Sequence, residues 1–113
     1  MYKDSKRLAI EIHKMSLLLP KFELYEESSQ VRRSAKAVTS AIVEGYSRKR
    51  YKADFVRFLV FSHSSCLETK NHLFKINRLY PGVIPNIDEF ISEYDILGAK
   101  IFTFIKYVEE NWR

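Results

Sequence analysis

One uninterrupted amphipathic pattern constrains this chain more than any other feature. From Tyr51 or Lys52 to the residue before Pro81 there is neither proline nor glycine. Across that span Phe55, Phe58, Leu59, Ser62, Cys66, Thr69, Leu73, Ile76 and Leu79 recur at three- and four-residue steps. That is the period of one helix face. A helix of about 28 residues rises about 40 Å, and a stripe of that length needs long partners to cover it. The pair Pro81 and Gly82 marks where it stops.

Three further segments carry the same period. Leu8, Ile12, Met15 and Leu19 form the first, with Asp4 and Ser5 as expected caps and Pro20 as its end. Val31, Ala35, Val38 and Ile42 form the second, and Gly45 is its expected C-terminal stop. Ser34, Ala35, Ala37, Ser40 and Ala41 make this helix slim, so neighbours can approach closely. The last segment follows Pro85, with Asn86 as N-cap and Asp88 and Glu89 in its first turn. Its apolar positions run from Ile87 through Phe90, Tyr94, Leu97, Ile101 and Ile105 to Val108 and Trp112. Long helices joined by short connections predict an all-α fold: an antiparallel up-down-up-down four-helix bundle, one domain over residues 1–113. A three-helix domain with an arm is the alternative, because the first segment is short. Tyr94, Ile96, Phe102, Phe104 and Tyr107 spread around more of the last helix than one seam needs. They predict either a wide core face or a second face buried in a homo-oligomer.

With 113 residues, 46% of them hydrophobic, the chain can bury a modest core. Only three glycines and three prolines leave little material for a many-stranded β fold. The single Cys66 excludes an intrachain disulfide and suits a reducing, cytoplasmic setting. Charges break up the apolar residues at the N-terminus, so no signal peptide is expected, and no apolar run reaches the about 20 residues of a membrane span.

The net charge of +5 is unevenly spread. Residues 30–85 hold eleven basic and three acidic side chains, whereas residues 86–113 hold three basic and six acidic. Separate surfaces are implied. Arg32, Arg33 and Lys36 fall on the second helix, Arg48, Lys49, Arg50 and Lys52 in the bend after it, and Arg57 at the start of the third, with Tyr46 and Tyr51 flanking the cluster. Lysine and arginine attract phosphates, and tyrosine can stack on an unpaired base. Three readings stay open: nucleic acid, an acidic partner protein, or a solvated corner with no ligand.

Catalysis has little support. No zinc-protease, CxxC or phosphate-loop motif occurs, no nucleophile–base pair is apparent, and neither a cofactor nor a metal is expected. His63 and Cys66 share a face but lack two further ligands. Glu44 and Glu68 lie in apolar or basic surroundings and are expected to form structural ion pairs, with Arg32, Arg33 and Arg57 as candidate partners and Arg48 a local one for Glu44. Glu68 and His72, four apart, can meet across one turn.

Read together, Ser29-Gln30 with Arg32-Arg33 and Ala35, then Ile42 with Glu44-Gly45, then Phe55 with Arg57-Phe58-Leu59, then Ser65 with Glu68-Thr69 resemble the four-helix-bundle proteins encoded within intervening sequences of bacterial 23S ribosomal RNA genes. The resemblance extends from Ala9 to about Tyr107. Ala41 stands where that family has Asn and Val43 where it has Ala, and the turn from Gly45 to Asp54 is about one residue longer. The resemblance implies a left-handed antiparallel bundle assembling as a ring, typically a homopentamer. It also implies kinship with an accessory protein of diversity-generating retroelements that binds RNA and a reverse transcriptase through a basic surface. The combined expectation is a non-enzymatic oligomeric bundle that binds nucleic acid, RNA in preference to DNA; the alternative is an oligomeric scaffold that docks an acidic protein and has no direct nucleic-acid role.

Overall fold

In the computed structural model, which describes residues 1–23 and 26–112, four helices follow one another: α1 (Tyr2–Ser16), α2 (Glu27–Ser47), α3 (Lys52–Leu79) and α4 (Ile87–Asn111). A short 3-10 turn, Lys21–Glu23, precedes α2. No strand occurs among the described residues. The molecule is a rod of 48 × 22 × 19 Å, its length set by α3. One core cluster draws residues from all four helices, as the stripes predict, with Leu8, Ile12, Val31, Val38, Ile42, Phe55, Leu59, Leu73, Ile76, Tyr94, Leu97 and Ile101 almost fully buried.

The contacts between successive helices run in opposite numerical order. Between α1 and α2, Ser5 meets Thr39 and Ser16 meets Ser28. Between α2 and α3, Glu27 meets His72, Ser34 meets Thr69 and Val38 meets Ser62. Between α3 and α4, Phe55 meets Trp112, His63 meets Phe102 and Lys70 meets Asp95. The rim of α1 and α4 is ionic: Arg7 reaches Glu93 at 3.1 Å and Lys100 reaches Asp4 at 3.3 Å. The hydrogen bond to Glu93 is the main cause that raises the Arg7 pKa.

Four sequence expectations change. Asp4 and Ser5 do not cap α1; Met1 holds that position. Asp4 lies in the first turn, where its charge favours the helix dipole, and Ser5 Oγ donates to the Tyr2 carbonyl at 2.9 Å. Gly45 does not end α2, which continues to Ser47. It is buried because a Cβ there would stand 3.4 Å from both Phe55 Cδ1 and Phe58 Cβ. Its small size lets α3 approach. Leu79 leaves the α3 stripe and is 58% exposed, since the chain turns away at Pro81 and Gly82. Gly82, at φ +80°, is the residue that tolerates this turn. Finally, His72 joins the buried face of α3.

Candidate nucleic-acid interface

The bend between α2 and α3 is held from beneath. Phe55 is fully buried, and its ring meets those of Tyr46 at 5.3 Å, Phe104 at 5.9 Å and Trp112 at 5.2 Å. The Trp112 indole N–H donates to the Lys49 carbonyl at 2.7 Å, so the end of α4 braces the backbone of the bend. Two short turn bonds, Arg48 N–H to the Gly45 carbonyl (3.0 Å) and Tyr51 N–H to the Arg48 carbonyl (2.8 Å), close it.

On this support the cations divide into two kinds. Arg48 lies 3.3 Å from Glu44 and 4.0 Å from Asp54, and Arg57 lies 3.7 Å from Asp54. Both guanidinium groups also stand over the Phe58 ring, at 5.1 and 5.3 Å. They are placed by the protein and partly neutralised, though these exposed pairs contribute little stability. For Lys49, Arg50 and Lys52, by contrast, no carboxylate lies within 4.0 Å among the described residues. Lys49 and Arg50 are exposed and Lys52 is half-buried. Tyr51 is 63% exposed and open to stacking, whereas one side of Tyr46 is occupied by Phe104, nearly parallel to it at 6.1 Å.

Arg32, Arg33 and Lys36 stand apart from this cluster. Arg32 lies 16 residues before Arg48, the residue that follows α2, about 24 Å along the helix axis. Its Nη1 donates to Ser16 Oγ at 3.0 Å, which ties α2 to the end of α1. Arg33 is exposed. Lys36 borders a groove floored by Ala9 and Ile10, together with Lys6, His13 and Lys14 of α1. The sequence reading missed these three. Their spacing on α1 places them beside Ile10, but only the packing of α1 on α2 brings Lys36 to the same rim.

The carboxylates also differ from expectation. Glu44 and Glu68 are both exposed. Glu44 pairs with Arg48, the local option, and Glu68 lies 3.7 Å from His72. Neither pairs with Arg32, which reaches Ser16, or with Arg33 or Arg57, which precede Glu44 and Glu68 by three helical turns, about 16 Å along their helices. The closest partner of His72 is Glu27, 2.8 Å from its Nδ1, a contact across the α2–α3 seam that the sequence reading overlooked.

Cys66 is buried, and burial pushes its thiol up to about 12, with Lys70 acting weakly in the opposite direction. It remains a protonated packing group at neutral pH. Burial likewise raises the pKa of Tyr94, whose hydroxyl has no hydrogen-bond partner among the described residues. Among those residues no group of three His, Cys, Asp or Glu is arranged to hold a metal, and no helix is long and apolar enough to cross a membrane.

A sequence model of the 23S rRNA-intervening sequence protein family matches residues 1–103, and the chain belongs to that family. No curated protein matches it.

Proposed function

We propose that this member of the 23S rRNA-intervening sequence protein family is a non-enzymatic, oligomer-forming bundle that binds RNA through the α2–α3 bend. The observation that carries the proposal is the charge of Lys49, Arg50 and Lys52, which faces no carboxylate within 4.0 Å among the described residues, at a bend braced by Trp112. Those cations neutralise phosphates, and Tyr51 stacks on an unpaired base. Arg48 and Arg57 contribute at reduced strength because Glu44 and Asp54 already face them. Arg33, Lys36 and the α1 lysines of the neighbouring groove form a second, separate basic strip. Contacts of this kind position a polyanion without reading bases. The opposite numerical order of the interhelix contacts supports an up-down-up-down antiparallel bundle, which puts the bend at one end of the rod. The exposed Ile96, Phe102 and Tyr107 support self-association, and the lone buried thiol suits the cytoplasm.

Fluorescence anisotropy with labelled single-stranded and hairpin RNA, titrated with salt, tests the site. Binding is expected to weaken steeply as salt rises. The triple substitution Lys49→Ala, Arg50→Ala, Lys52→Ala is expected to lower affinity about tenfold or more and to reduce the slope of log K against log salt by about 2 to 3. Wild-type protein that binds no RNA at low salt overturns the proposal. A triple variant that binds like wild type removes the bend as the site.

A further inference from the structure

The outer face of α3 carries a second heptad stripe, opposite the one that enters the core. Val60, Leu67 and Phe74 are spaced seven residues apart and are 42%, 52% and 54% exposed. Arg57 and Arg78, also exposed, bound this stripe 21 residues apart, about 32 Å along the helix. Apolar side chains of this size, repeated every seven residues on a solvent face, have the spacing of one position of an interhelical seam.

The outer face of α4 has the same length and the opposite charge. Glu89 and Glu110, both exposed, are likewise 21 residues apart, and Ile96 and Tyr107 lie between them. The middle of this face is small, with Ala99 and Thr103, and an apolar groove lined also by Met1, Tyr46 and Phe104 runs alongside. A large side chain at the centre of one stripe, Leu67, thus meets a shallow centre on the other. The lysines near the α4 face are engaged within the chain: Lys100 with Asp4 at 3.3 Å, and Lys106 over the Phe102 ring at 5.5 Å. Arg57 meets Asp54 at 3.7 Å and the Phe58 ring at 5.3 Å, but its side chain is 57% exposed, which leaves it able to meet a second carboxylate.

We infer that the outer α3 stripe of one copy docks on the outer α4 face of another copy of this chain. Charge decides against the symmetric alternatives. Pairing the α3 stripe with itself, in either direction, sets arginine against arginine at both ends, and pairing the α4 face with itself sets glutamate against glutamate. Only α3 on α4 sets opposite charges at both ends. Such a contact is heterologous, so each copy offers a free α3 stripe and a free α4 face, and assembly continues until it closes. This inference rests on the oligomeric part of the proposed function and assigns its surfaces; it does not depend on RNA binding.

Charge exchange tests it, read by light scattering coupled to size exclusion at micromolar protein. One variant carries Arg57→Glu and Arg78→Glu, the other Glu89→Arg and Glu110→Arg. Wild type is expected to run as an assembly and each variant alone at the mass of one chain. Their equimolar mixture, and a chain carrying all four substitutions, are expected to regain at least twice that mass. All four positions are exposed, and circular dichroism of each variant verifies that the helices persist. Leu67→Glu, at the centre of the stripe, is expected to dissociate the assembly by a different route. An assembling wild type whose mass is unchanged by either exchange and by Leu67→Glu overturns the contact and leaves oligomerisation standing. A wild type that runs as a single chain overturns both.

Discussion

The α2–α3 seam and the bend joining the same two helices belong to one continuous stretch of chain, yet they are made of opposite materials. In the middle of the seam, away from the Glu27–His72 contact at its end, the polar groups are small, neutral and buried. Thr69 Oγ1 lies 2.9 Å from Ser34 Oγ and 2.8 Å from the Ser65 carbonyl, Ser34 Oγ donates to the Val31 carbonyl at 3.2 Å, and Ser62 Oγ to the Val38 carbonyl at 2.8 Å. Each hydroxyl finds a partner without a charge having to leave water, so the helices can approach closely. At the bend the polar groups are long, charged and solvated, and close packing falls instead to Gly45 and the rings beneath. The difference separates two tasks: the seam stabilises the bundle, and the bend presents charge that stability does not consume. Substitutions should therefore divide cleanly between them.

The largest expected effect comes from the residue that joins the two regions. Phe55 lies in the first turn of α3, fully buried, and touches three other aromatic rings. Phe55→Ala removes those contacts and opens a cavity, which should cost about 3–5 kcal/mol in urea denaturation. A loss below about 1 kcal/mol would mean that the rings collapse to fill the space and that the bend is not braced from below.

Much of this was legible in the sequence, and the parts that were not share a physical reason. Helical period and proline–glycine punctuation locate all four helices, because both are local properties. The core residues of α2 and α4 follow from the same period. What failed was reading a residue's role without its neighbour across the interface. Gly45 resembles a helix stop by composition, but it is small to admit Phe55 and Phe58. Glu44 and Glu68 suggest interhelical ion pairs, but their helix faces point outward. The eight basic residues seemed one cluster on a linear chain, whereas the length of α2 holds Arg32 about 24 Å from Arg48. The contact between Trp112 and Lys49 spans 63 residues and has no local signature.

A smaller effect is expected within the seam. Thr69→Val preserves shape and removes one hydroxyl. Ser34 Oγ then loses its contact across the seam but keeps its own bond to the Val31 carbonyl, so the cost should be about 1 kcal/mol. The same variant should bind RNA as wild type does, since nothing at the bend changes. A several-fold drop in RNA affinity with unchanged salt slope would show the two regions to be coupled through α3 and would blur the division between them.

The smallest stability effect should come from the bend itself, and it is the sharpest test of the division. Lys49→Ala with Arg50→Ala removes two exposed cations that have no carboxylate within 4.0 Å among the described residues. The structural bonds at Lys49 are made by its backbone, whose carbonyl accepts the Trp112 indole N–H and whose N–H donates to the Tyr46 carbonyl at 3.3 Å, and alanine keeps both. Surface substitutions of this kind shift stability by no more than about 0.5 kcal/mol. Relief of repulsion among Arg48, Lys49, Arg50 and Lys52 can even make the variant slightly more stable at low salt, a gain that disappears once ions screen the cluster. Urea melts at two salt concentrations measure both signs. A loss above about 1 kcal/mol would mean that the cations themselves hold the turn, and recognition would then no longer be separable from folding at this end of the bundle.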